Sequence, residues 1–201
     1  MDASEECRTE RCLARFALTV RIRSVRTAYR RRMGTREPLR DDPIGLARDN
    51  WCASGWSDAA EGMAIVTSIM RVQQILLADV EAALKPFRLT FARYEVLMLL
   101  RFARRRSLPV GRIGARLQVH PASVTNAVDR LELDGLAKRT QNPRDGRSVL
   151  ASLTPAGAKV AEAATAVLNA QIFSALPMSG DGRDKLYQLL RDVRRAYGDF
   201  E

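Results

Sequence analysis

The stretch IGARLQVHPASVTNAVDRLELDGLAKRTQNPRDGRSVLASL, running from Ile113 to Leu153, decides the fold. It begins inside a short amphipathic segment, breaks at Gln118-Val119-His120, and resumes at Pro121, whose fixed φ and missing amide suit the first position of a helix. The spacing predicts a short helix over about Val110 to Leu117 and a second helix beginning at Pro121. So tight a connection forces the two to cross steeply, with Ile113, Leu117, Val119, Val124, Val128 and Leu131 turned inward. At about 100° per residue, Ala122, Asn126 and Asp129 fall on the opposite face, which is polar and slim. Gly135 reads as a helix stop. Leu136 to Thr140 and Ser148 to Leu153 then read as the arms of a hairpin, the second with Val149, Ala151 and Leu153 inward. Asn142-Pro143 and Asp145-Gly146 supply the turn between them. A helix-turn-helix followed by a basic hairpin is a device for holding a duplex.

The major groove of DNA admits one helix, with its N-terminal residues against base edges and its free amides near phosphate. Pro121, Ser123, Thr125 and Asn126 occupy that end. Asparagine pairs bidentately with adenine, and serine and threonine bond either bases or phosphates. Arg130, a turn later, reaches the backbone, or else bridges to Asp134 or the neighbourhood of Glu132. At the hairpin tip, Arg144 or Arg147 is placed to enter a minor groove, with Asp145 orienting the guanidinium. The bland alternative is a solvated helix face and an ordinary charged hairpin tip. His120 reads as a turn or cap residue, not a metal ligand.

Around this unit the periodicity is helical. Ile65, Ile69, Val72, Leu76, Val80 and Leu84 stripe one face of a helix of about 25 residues ending before Pro86. Thr90 is placed to cap a second helix with Phe91, Tyr94, Leu97 and Met98 on its apolar face, running into the solvated basic end Arg104-Arg105-Arg106. Thr154-Pro155 opens a helix carrying Val160, Ala164, Val167, Leu168 and Ile172, stopped by Pro177. Ser179 caps a last helix with Leu186, Leu189, Leu190, Val193 and Tyr197. The apolar surface of these flanking helices exceeds what the small reading unit covers, so a second copy of the chain is the natural burial site.

The chain has 201 residues with a net charge of +10, which points to a polyanionic partner or to a merely soluble basic surface. Residues 1–57 hold 12 arginines and 8 acids and read as a basic extension. The clusters Gly34 to Pro38 and Asp41 to Gly45 are expected to break any long element there. Arg11 to Arg32, with eight arginines and no acid, reads either as a solvated, partly disordered arm or as a basic helix adding phosphate contacts. Cys7, Cys12 and Cys52 lack metal spacing and read as reduced thiols of a cytoplasmic protein. No unbroken run approaches the roughly 20 apolar residues of a membrane span, so no membrane is expected. There is no Ser-His-Asp set, metal cluster or phosphate-cradling glycine loop, so neither an enzyme nor a cofactor is expected.

Several segments together resemble the MarR family of winged-helix transcriptional regulators. They are residues 89–97 (LTFARYEVL), residues 123–132 (SVTNAVDRLE) with Gly135-Leu136, and residues 143–148 (PRDGRS) with residues 153–157 (LTPAG). With the flanking helices the resemblance spans residues 58 to 200. It implies a mainly α fold with a small β-hairpin wing (α+β). A first dimerisation helix would occupy residues 58–88, the winged helix-turn-helix residues 89–153, and C-terminal dimerisation helices residues 154–201. The implied function is a homodimeric, sequence-specific regulator, a repressor occluding a promoter at a pseudo-palindromic operator. Family members often respond to small phenolic or lipophilic effectors, and some to oxidants through a cysteine, although these residues select neither. The competing reading is an architectural DNA binder without a preferred site, which would bind random duplex equally well.

Overall fold

Asp42 and Pro43 open a helix. In the computed structural model, which describes residues 39–143 and 145–201, the Asp42 carboxylate accepts the amide of Ile44 at 3.0 Å. Pro43 takes the first turn of α1 (Pro43–Ala53). Asp41 to Gly45, expected to break any long element, instead starts this 11-residue helix: an acidic cap followed by proline is a start signal. α1 packs on α2 (Ser57–Leu84), and the rings of Trp51 and Trp56 meet edge to face at 5.4 Å. Arg11 to Arg32, Cys7, Cys12 and Arg144 lie outside the described residues.

α2 runs into a 3₁₀ turn at Lys85–Phe87 and then α3 (Phe91–Phe102), which Thr90 caps by accepting the amide of Arg93 at 3.3 Å. α4 (Val110–Leu117) and α5 (Pro121–Leu133) form the helix-turn-helix, followed by β2 (Ala137–Gln141) and β3 (Val149–Leu153). α6 (Pro155–Leu168) begins at Thr154, whose hydroxyl accepts the amide of Gly157 at 2.9 Å, and continues through a π turn at Asn169–Phe173. Residues 39–174 make one compact unit. Ala175–Glu201 falls in another and holds α7 (Gly180–Ala196), capped by Ser179 at 3.1 Å from the amide of Gly182.

The helical periodicity leaves out one strand. Arg104 to Arg106 do not end α3, as expected, because that helix stops at Phe102. They form a turn in which Arg106 adopts a left-handed φ of 49°, and its carbonyl accepts the amide of Leu153 at 2.8 Å. The chain then enters β1 (Ser107–Pro109), antiparallel to β3, and the sheet order is β1-β3-β2. Leu108 faces Ala151, and Arg139 of β2 faces Ala151 from the other side. Three residues with a proline carry no alternation, so only pairing with β3 reveals the strand.

The core joins α2, α3, α4, α5 and α6 around the sheet. Leu84, Leu97, Leu100, Ile113, Leu131 and Leu168 are fully buried, with Val124, Val128 and Ala151 between them. Two expected core positions face solvent. Val119 is 43% exposed because it sits in the break, where no helical face turns it inward. Val149 is equally exposed: β1 ends opposite Leu150, so nothing covers the next position of β3.

Of the α2 stripe, Val80 and Leu84 join the core while Ile65, Ile69 and Val72 are exposed. A helix of 28 residues is about 42 Å long, more than the small unit beside it can cover. The span Ser57–Phe87 is also long and apolar enough by composition to cross a membrane, which counting unbroken apolar runs missed. Its apolar residues are interrupted by Arg71, Gln73 and Gln74, and its last turns are built into the core.

Candidate nucleic-acid interface

The sequence of α5 fixes which side chains it presents. Val124, Val128 and Leu131 anchor it, so Pro121, Ser123, Asn126 and Arg130 emerge on the surface. The helix starts on His120, whose Nδ1 accepts the amide of Ala122 at 3.2 Å. This is the cap role expected of it. Thr125 is exposed, but its hydroxyl donates to the carbonyl of Pro121 at 3.0 Å. It therefore offers a partner its methyl group and lone pairs, a narrower role than the sequence assigned. Ser123, Asn126 and Arg130 line one concavity of about 560 Å³ with Arg88, Thr90 and Arg93 of the α2–α3 junction.

The wing tip is knitted by its own polar groups. Asn142 and Ser148 join through backbone (3.0 Å) and side chain (2.8 Å), and Gln141 donates to the carbonyl of Gly146 at 3.0 Å. Asp145 accepts the backbone amide of Arg147 at 3.1 Å, so the carboxylate shapes the turn. Arg147 is exposed beside it.

Arg139, which sequence reasoning passed over, ties wing to helix. Its backbone amide and Nε donate to Glu132 at 2.8 and 2.7 Å, and its guanidinium also pairs with Asp129. The backbone bond, then the side-chain bond, lowers the Glu132 pKa, while the bond to Glu132 raises that of Arg139. At the same C-terminal end of α5, Arg93 donates to Asp134 at 3.1 Å and to the carbonyl of Arg88, linking the α2–α3 junction to the end of the helix.

These bonds set the charge of the surface. Residues 89–153 contain twelve basic and five acidic residues. Asp129 and Glu132 are taken by Arg139, Asp134 by Arg93, and Asp145 by the wing backbone. Glu95 is half-buried on α3, and burial raises its pKa. Arg104, Arg105, Arg112, Arg116, Arg130, Lys138 and Arg147 are exposed without an ion-pair partner among the described residues. The acids are spent internally and the cations face outward. Of these cations the sequence reading assigned a DNA contact only to Arg130 and Arg147; the pairing of acids seven and ten residues from Arg139 was the missed signal.

Comparison with known proteins agrees with this architecture. The model of the MarR family matches residues 89–149. Sco5413, a MarR family transcriptional regulator from Streptomyces coelicolor, is 48% identical with a TM-score of 0.65, over 70% of this chain and 98% of its own. A mutant MarR from E. coli, solved in complex with operator DNA, is 27% identical with a TM-score of 0.62, over 67% of this chain and 96% of its own. The HTH-type transcriptional regulator BilQ of Clostridioides difficile is 31% identical over 80 residues, 40% of this chain and 53% of BilQ. The chain thus spans about half the length of the curated relatives it matches. Because a solved MarR family regulator 48% identical to this chain is matched almost end to end and the family model matches the segment that holds the winged helix, the chain belongs to the MarR family.

Proposed function

We propose that the protein is a homodimeric, sequence-specific DNA-binding transcriptional regulator that represses by occupying a pseudo-palindromic operator at a promoter. The observation that carries this reading is the surface of the winged helix: α5 offers Ser123 and Asn126 while every carboxylate around it is bonded within the fold. α5 lies in the major groove, where Asn126 and Ser123 read base edges, Thr125 packs its methyl group, and Pro121 brings the helix start to phosphate. Arg130 holds the backbone, and Arg147, with Arg144, enters the adjacent minor groove. The apolar faces left on α2 and α7 supply the dimer contact. A small lipophilic or phenolic effector that weakens the grip completes the proposal and rests on family membership alone. A DNA partner supports a cytoplasmic location.

Footprinting on the DNA flanking its own gene, against random duplex across salt concentrations, tests this. A protected two-fold site is expected; equal affinity for random duplex would instead identify an architectural binder. Asn126→Ala should relax base preference at one position per half-site by about 1–3 kcal/mol, read by competition among single-base operator variants.

A further inference from the structure

On the side of the wing away from α5, a concavity of about 640 Å³ is lined by Arg105 and Ser107, Gly111 and Arg112, and Asn142 and Ser148. Sheet order explains why it is separate from the recognition helix. β2 is clamped to α5 through Arg139, whereas β1 lies on the opposite edge of the sheet, beyond β3, and leads directly into α4. Both guanidiniums are exposed and neither has an ion-pair partner among the described residues. Asp145, the carboxylate on the rim, is held by the amide of Arg147. Pro109, the residue before α4, gives that helix no side-chain cap, and α4 contributes Gly111 and Arg112 to the groove. Two guanidiniums without an ion-pair partner, and the Ser107 hydroxyl, which accepts from Ser152 at 2.9 Å and keeps its own proton to donate, match a phosphodiester around one open groove.

We propose that this groove seats backbone phosphates of DNA on the far flank of the wing, with Arg105 and Arg112 as the gripping residues. This rests on the DNA-binding part of the function proposed above and extends the footprint past the wing tip. The contact carries no base preference. It adds affinity and salt dependence in equal measure on any sequence.

The test uses the full chain and a random-sequence duplex of about 30 base pairs, with affinity measured by fluorescence anisotropy from roughly 50 to 200 mM salt. Arg105→Gln and Arg112→Gln should each reduce the slope of log affinity against log salt by about 0.9 per seated protomer, and the double substitution by twice that. Arg112→Lys should keep most of the wild-type slope, and circular dichroism should show all variants folded. Arg48→Gln on α1 removes the same charge at a distance and should leave the slope unchanged. An unchanged slope in the double variant, or an equal fall in Arg48→Gln, overturns the assignment while leaving DNA binding intact. Failure of the wild type to bind the duplex at the lowest salt overturns both readings. A lowered slope without a footprint would retain this groove and remove sequence-specific recognition.

Discussion

Gly157 stands where α6 crosses the end of the recognition helix. A Cβ built there would lie 2.0 Å from the carbonyl oxygen of Leu136 and 2.9 Å from its carbon, both backbone atoms that cannot step aside. Gly157→Ala should therefore destabilise the protein by about 3 kcal/mol or more, above the usual overpacking range, as measured by urea unfolding. Glu132 makes the opposite kind of contribution, electrostatic and dependent on pH. Its pKa is lowered in the fold by Arg139, so its stabilisation is complete above the ordinary glutamate value of about 4.3 and disappears as pH falls through the lowered one. The wild type should melt above Glu132→Gln at neutral pH, and the gap in Tm should close in acid; a gap independent of pH would refute the linkage. Residues of this kind set the limit of what the sequence discloses. Thr90, Thr154 and Ser179 were legible as caps because each bonds an amide three residues on. Arg139 was not, because its partners lie seven and ten positions away and become neighbours only when β2 folds back along α5.

Among elements, legibility followed length and locality. α4 and α5 were readable from an apolar period interrupted by three residues and a proline, and the structure begins and ends α4 where the period does. β1 could not be read, since three residues have no period and the strand exists through its pairing with β3 some forty positions later. α1 was misread for another reason: the aspartate and proline that terminate elements also start them, and only the residues beyond decide. Asp42→Ala should weaken α1 by about 1 kcal/mol, the usual worth of an N-cap. Faster amide exchange confined to residues 44–53 is the expected signature, and unchanged exchange there would show that packing on α2 alone holds the helix.

At the scale of the molecule, apolar surface is the unfinished business of the single chain. Ile65 and Ile69 on α2 are 58% and 42% exposed, and Leu189 on α7 is 65% exposed. Such faces are stable in water only when another surface covers them, and the second copy proposed above would do so with closed symmetry. Leu189→Glu should weaken association about tenfold or more and move the mass in sedimentation equilibrium toward that of one chain, with the winged helix still folded. A mass that stays dimeric would place the contact elsewhere. The dimer was expected from the excess of apolar helix faces; which faces remain open emerged only once α6 was seen to spend Ala161, Ala164 and Leu168 on the core of the reading unit. The junction after the wing has a further consequence for anyone exchanging DNA-reading heads between regulators. Thr154 bonds the carbonyls of Gly135 and Leu136 at 2.8 and 3.0 Å while capping α6, and Gly157 closes against the same backbone. A transplant cut at the end of the last strand, Leu153, would sever that joint; the portable cassette ends at Gly157, and a chimaera should retain its operator specificity only if those four residues travel with it.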